Sequence, residues 1–189
     1  DEIVQLDGAW DGVSSVKSAI EAYQGRSWPP LPNRERIALA SVKLLPPIPN
    51  PGKIICVATN FHEGKPPPEY PIVFTRFAES LIGHAQYLRK PPESSRYDFE
   101  GELAVIIGKR GYRIPADQAG DYVAGYSCLN DGSARDWQKH SSQFTPGKNF
   151  WRSGSMGPWL VTADEVPDVS KLTLETRVNG QTKQSIGMD

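Results

Sequence analysis

Two acids two positions apart on a strand limit this chain more than any other feature. In YDFEGELAVIIG, residues 97–108, Tyr97, Phe99, Leu103, Val105 and Ile107 share one parity, whereas Asp98, Glu100 and Glu102 share the other. Side chains alternate across a strand that rises about 3.3 Å per residue, so acids at i and i+2 stand side by side and can converge on one ion. Like charges a few ångströms apart repel where water is scarce, and a cation or a proton relieves them. A solvated strand edge is the plainer account of an isolated E-x-E pair. Here the run LAVIIG that follows predicts burial on both faces, which makes an ion site an equal alternative to the solvated edge. NDGSARDWQ, residues 130–138, offers a third oxygen ligand. An all-oxygen set without histidine or cysteine clusters selects a hard ion, magnesium, manganese or calcium, over zinc.

The remaining composition narrows the class. The 189 residues, 38% hydrophobic with a formal net charge of -1, fit one ordinary domain with a small appendage. No basic stripe is present, which argues against nucleic acid and anionic membrane as partners. No apolar run approaches the roughly 20 residues of a membrane helix. The opening DEIVQLDGAWDG lacks the basic start and apolar core of a signal peptide, so the expected compartment is cytoplasmic. Cys56 and Cys128 lie in apolar, strand-like contexts without C-x-x-C spacing and read as inert buried thiols.

Along the chain, Val13, Val16, Ile20 and Tyr23 predict an amphipathic helix over residues 11–24, capped by Asp11 or Ser14. PPIPNPG at residues 46–52 denies helix continuation and ladder donors and marks a boundary. Residues 1–45 are therefore expected to form a small N-terminal subdomain or arm, and residues 46–189 the domain that carries chemistry. KIICVATNF predicts a buried strand running into His62 and Glu63. IVFTRF predicts another, whose Arg76 either reaches a ligand or makes an ion pair. DYVAGYSCLND predicts a strand ending at Asp131, and the S-x-x-D spacing of Ser133 and Asp136 predicts a capping box opening a short helix with Gln138 inside it. Lys148 lies in the loop FTPGKNFW. KLTLETRVNGQTKQ alternates and turns on Asn179-Gly180, a hairpin signal. Strands dominate and helices are few and short, so the expected class is mainly β with α, an α+β fold.

The order of these blocks resembles the fumarylacetoacetate hydrolase family over roughly residues 45–189. Its most specific pieces are D-x-E-x-E-L-A-V-x-I-G and N-D-x-S-x-R-D-x-Q, joined by Lys148 in GKNF and by GPWLVTADE. The resemblance implies a mixed β-sandwich roll, a homodimer, and Mg2+ or Mn2+ held by Glu100, Glu102 and Asp131, with Ca2+ as the remaining hard ion. It implies a small 2-oxo or 1,3-diketo acid substrate, acylpyruvate-like, whose carbon-carbon bond is hydrolysed through a metal-bound enolate. Oxaloacetate-type decarboxylation and 2-hydroxymuconate-type isomerisation are the alternatives on the same site. Gln138 and Lys148 match the family's substrate-contacting pair, with Lys148 also stabilising charge during catalysis, and His62 and Glu63 match its catalytic dyad. The loop after Asn60 is shorter than the family pattern N-Y-x-x-H-x-x-E. The family pattern also continues past the Asn179-Gly180 hairpin, so the catalytic domain is expected to lack its C-terminal part in this sequence. From a different class, a non-catalytic calcium-binding β domain used for interaction would place Lys148 and Gln138 far from the ion.

Overall fold

A computed structural model describes residues 2–4, 13–23, 26, 28–30, 32–60, 66 and 68–188. Near the N-terminus β1 (Glu2–Val4) pairs antiparallel with β2 (Arg36–Ala38), and α1 (Val16–Tyr23) lies between them in sequence. Ser15 caps α1: the Ser18 backbone N–H donates to Ser15 Oγ at 3.1 Å. This corrects the expected cap at Ser14, because a helix that begins at Val16 points its third orphan N–H at Ser15. Asp11 lies outside the described residues.

β3 (Ile54–Ala58) and β4 (Ile72–Arg76) form an antiparallel pair in which Cys56 stands opposite Phe74 and Ile54 opposite Arg76. Alternation therefore puts Cys56, Phe74 and Arg76 on one face, and Ile55, Val57 and Val73 on the other, which is exposed. The principal sheet runs in the order β5 (Leu81–Ile82), β10 (Gly154–Thr162), β8 (Val123–Asn130), β7 (Gly101–Ile107). β10 is parallel to β5 and antiparallel to β8, which is in turn antiparallel to β7. A short pair, β6 (Tyr97–Asp98) with β9 (Ser133–Ala134), flanks this sheet, followed by α2 (Arg135–Gln138) and α3 (Thr145–Lys148). The chain closes on the hairpin β11 (Thr173–Val178) and β12 (Gln181–Gly187). Its turn residues Asn179 and Gly180 have φ of 52° and 78°, as a two-residue primed turn requires. The mainly β class with few short helices is thus what the chain adopts.

The core sits on one side of the principal sheet. Ile106, Ala124, Leu129 and Met156 pack there with Ile20 of α1, and Leu81, Ala104 and Leu160 border the cluster. The opposite side carries Val105, 49% exposed, Ile107, 63% exposed, and the exposed Cys128, which stands across from Leu103. LAVIIG is therefore buried on one face only, and Cys128 is not a buried thiol. An antiparallel sheet needs cover on a single side, so an unbroken apolar run does not establish two buried faces.

Two further expectations are corrected locally. The acidic strand is broken at Phe99–Glu100: Asp98 Oδ1 accepts from the Phe99 N–H at 3.0 Å, and the Glu100 N–H donates to Asn130 Oδ1 at 3.1 Å in place of a ladder bond. The capping box does not form either. Pairing with Asp98 draws Ser133 into β9, where its Oγ donates to the Asp131 carbonyl at 2.7 Å. Asp136 instead accepts from Ser94 Oγ at 2.6 Å and from the Ser95 N–H at 2.9 Å.

Candidate metal centre

Strand registry brings the three acids together. Gly101 pairs with Asn130 across β7 and β8, and one step beyond that pair the Asp131 N–H donates to the Glu100 carbonyl at 2.8 Å. Glu102 follows as the second residue of β7. As a result Glu100, Glu102 and Asp131 each offer a carboxylate oxygen, all within 4.8 Å of one another. Gly101, between the two glutamates, is clamped by the terminal hairpin: its N–H donates to Gln184 Oε1 at 3.0 Å and its carbonyl accepts from Gln184 Nε2 at 2.9 Å. A Cβ at residue 101 would collide with Thr176 Oγ1, which accounts for glycine there.

Cations surround the cluster. Lys148 Nζ donates to Glu100 Oε2 and to Asp131 Oδ2, each at 2.6 Å, and its side chain is 1% exposed. Arg76 pairs with Asp131 Oδ1 and donates to the Gly132 carbonyl at 3.1 Å, Ser80 Oγ at 3.1 Å and Ser153 Oγ at 3.2 Å. Arg135 pairs with Glu100 Oε1, holds Asp98 Oδ2 at 3.0 Å and donates to Gln138 Oε1 at 3.1 Å. The Gln138 carbonyl oxygen is thereby engaged, and its amide nitrogen has no acceptor among the described residues. Lys148 reaches the acids because α3 lies close against α2, where a Cβ on Gly147 would stand 2.6 Å from Gln138 Cα. Its ammonium also lies 4.9 Å from the centre of the Phe74 ring.

Glu102 differs from its two neighbours in receiving no hydrogen bond from a described residue. Burial pushes its carboxyl up to about 7, and the Asp131 and Glu100 charges push the same way against Lys148. Cys56 faces the same cluster. Burial first, then Asp131, raises its thiol to about 12, with Glu102 adding to the rise and Arg76 and Lys148 opposing it. The Tyr97 hydroxyl donates to the Ser153 carbonyl, and burial raises its phenol to about 12. Three converging carboxylates, one of them short of a donor, suit a hard divalent cation in chemistry and spacing.

The structure thus gathers Glu100, Glu102, Asp131, Lys148, Arg76 and, through Arg135, Gln138. His62 and Glu63 lie outside the described residues. Arg135 was not singled out in the sequence, although it occupies the R of N-D-x-S-x-R-D-x-Q; Gln184 and Phe74 carried no motif at all. A cleft of about 550 Å³ between Phe77, Trp137, Pro146 and Phe150 runs along α2 and α3, but none of the acids lines it. Among the described residues no helix is long and apolar enough to cross a membrane.

The sequence profile of the fumarylacetoacetate (FAA) hydrolase C-terminal family matches residues 53–188. The chain is 41% identical to the mitochondrial oxaloacetate tautomerase of Xenopus laevis, over 95% of this chain and 56% of that protein. It is 41% identical to an oxaloacetate tautomerase of Bacillus subtilis, over 89% of this chain and 60% of that protein. Among solved structures, the fumarylacetoacetate hydrolase of psychrophilic Exiguobacterium antarcticum superposes with a TM-score of 0.80 at 31% identity, covering 93% of this chain and 64% of that one. A 2-hydroxyhepta-2,4-diene-1,7-dioate isomerase from Mycobacterium marinum superposes at 0.74 and 37% identity, covering 84% and 59%. The chain spans a little over half the length of the two tautomerases.

Proposed function

The chain belongs to the fumarylacetoacetate hydrolase family, and we propose that it carries the metal site of an enzyme that interconverts the keto and enol forms of a 2-oxo dicarboxylic acid such as oxaloacetate. One observation carries this reading. The buried Lys148 ammonium lies 2.6 Å from both Glu100 and Asp131, so a proton carrier sits directly beside the ligand cluster. A calcium-binding interaction domain has no use for such a lysine, and the two tautomerases at 41% identity support the same reaction. Hydrolysis of an acylpyruvate-like acid is the second reading, favoured by the 0.80 TM-score to a fumarylacetoacetate hydrolase. That reaction needs a base for water, the role for which His62 and Glu63 are the candidates.

Glu100, Glu102 and Asp131 would hold Mg2+ or Mn2+, which when bound supplies the Lewis acidity that makes the protons beside a 2-oxo group acidic. Arg135 and Arg76 fix Glu100 and Asp131 from behind, as outer partners of ligands do. Lys148 holds at Nζ the proton that passes to carbon as the enol becomes the ketone, while the enol hydroxyl gives its own proton to water, from which the amine is reprotonated; the reverse direction runs the same transfers backwards. Gln138 offers its amide NH2 group, and Lys148 its charge, to oxygen that becomes more negative. The proposal includes Arg76 in forming the substrate pocket, a homodimer in the cytoplasm, and residues 1–45 as an arm docked on the catalytic domain through Ile20.

The test uses the full-length protein with magnesium. Lys148→Met is expected to slow keto-enol exchange of oxaloacetate by about 10²- to 10⁴-fold with metal still bound, and Glu102→Gln to lower both metal content and turnover. Exchange is followed by the enol absorbance, decarboxylation by released pyruvate, and hydrolysis by loss of an acylpyruvate. Undiminished metal and activity in Glu102→Gln would sink the metal reading. Cleavage of an acylpyruvate without exchange of oxaloacetate would transfer the assignment to hydrolysis.

A further inference from the structure

Away from the acids, a second cleft of about 520 Å³ is lined by Lys43, Gln86, Tyr87, Arg89 and Arg152. Its charge is one-sided: among the described residues, no carboxylate lies within ion-pair distance of Lys43, Arg89 or Arg152. Two of these cations are gathered on a single ring, with the Arg89 and Arg152 guanidinium carbons 6.0 and 5.3 Å from the centre of Trp151. Arg152 is also oriented. One of its terminal nitrogens donates to Gln86 Oε1 at 2.9 Å, while Gln86 Nε2 donates to the Leu44 carbonyl at 2.6 Å.

Arg152 Nε, in contrast, is buried with no hydrogen-bond partner. Buried polar groups are nearly always paired, so this sealed, unpaired N–H leaves the Arg152 charge poorly compensated by the protein itself. The backbone adds a second sign of constraint. Ala85 and Arg152, both on the cleft wall, have φ of 58° and 56°, left-handed values that a side chain rarely adopts unless its surroundings impose them. Guanidinium groups match the paired oxygens of phosphate in geometry, and an anion relieves the repulsion among cations held together. Tyr87 of the lining, 93% exposed, and Trp151 beneath the two guanidinium groups, 61% exposed, leave aromatic surface for a substituent.

We propose that this cleft is a binding site for a phosphate monoester, formed by Arg89, Arg152 and Lys43 and separate from the acidic cluster. The site is independent of any metal, and the experiment is run in EDTA so that its outcome does not depend on the tautomerase reading. The full-length protein is titrated calorimetrically with inorganic phosphate and with phenyl phosphate at matched, low chloride. Saturable binding is expected for both, tighter for phenyl phosphate. Arg89→Gln and Arg152→Gln are each expected to weaken it at least tenfold, and Lys148→Met to leave it unchanged. Lys43→Gln is the further variant should either arginine variant melt early, and it too is expected to weaken binding. The proposal is overturned if the wild-type protein shows no saturable binding. It is equally overturned if arginine variants that remain folded bind as the wild type does, or if Lys148→Met loses binding to the same extent.

Discussion

Asp131 has both carboxylate oxygens committed, one to Arg76 and the other to Lys148, and all three side chains are almost free of water contact. Taking one partner from a buried pair strands the other charge, typically at a cost of about 3–5 kcal/mol. Arg76 is therefore as much a support of the fold as of the site, which is why sequence reading could equally assign it an ion pair or a ligand. The carboxylates were legible because each sits in a dense motif, whereas Lys148 was marked only by its place in the order of the blocks. Arg135 was harder to assign, since its partners Asp98 and Glu100 lie more than thirty residues earlier in the chain and no local spacing announces the pairing. The two cysteines separate cleanly at this scale. With its thiol raised to about 12, Cys56 holds almost no thiolate near neutral pH, whereas Cys128 differs in being exposed to a reagent. Iodoacetamide at about pH 8 is expected to label Cys128 in the native protein, at least tenfold faster than Cys56, with Cys56 reacting fully only in denaturant. Peptide mapping after timed quenching reads this out, and equal labelling of the two would contradict the half-buried position of Cys56 beside the acids.

The terminal hairpin is an element whose influence exceeds its own stability. Its Asn179-Gly180 turn was readable directly, because few dipeptides satisfy two left-handed positions in succession. What it does was not readable: Gln184 takes both backbone groups of Gly101, the residue between Glu100 and Glu102. Removing a group that orients ligands typically costs 10- to 100-fold in metal affinity. Gln184→Leu in the full-length protein is therefore expected to weaken Mn2+ binding by roughly that factor, with the hairpin still formed by circular dichroism. Unchanged affinity would show that the β7 backbone holds its acids without the clamp. The broken acidic strand and the lost capping box share a physical reason. Each was read from spacing along the chain, whereas the outcome was set by pairing between β6 and β9, elements far apart in sequence.

For the molecule as a whole, the metal-free protein carries an unrelieved acid, and its stability should register this. Glu102 titrates at about 7 when folded, against an ordinary value of 4.5, so between these values the folded chain retains a proton that the unfolded chain has released. Stability consequently falls as pH rises through that window and no longer depends on this group below it. Asp136 acts with opposite sign and elsewhere. A hydrogen bond from the Ser94 hydroxyl holds it at about 2, so its contribution is present above its ordinary 3.8 and is lost only as pH falls toward 2. In EDTA the thermal midpoint is expected to decline from about pH 5 to about pH 7, the decline to vanish in Glu102→Gln, and saturating magnesium to flatten it by displacing the proton. A wild-type profile no steeper than that of Glu102→Gln would remove the argument. The mainly β architecture was legible from alternation alone. The open face at Val105, Ile107 and Cys128 was not, because hydropathy records which residues are apolar and not which side of a sheet the chain covers. One consequence of the Gly101–Asn130 registry reaches into how the protein acquires its structure. A slip of one residue between β7 and β8 would turn Asp131 to the opposite face and part it from Glu100. Capture of the ion would then discriminate among candidate pairings during folding, rewarding the native alignment and leaving its misaligned competitors without a ligand set.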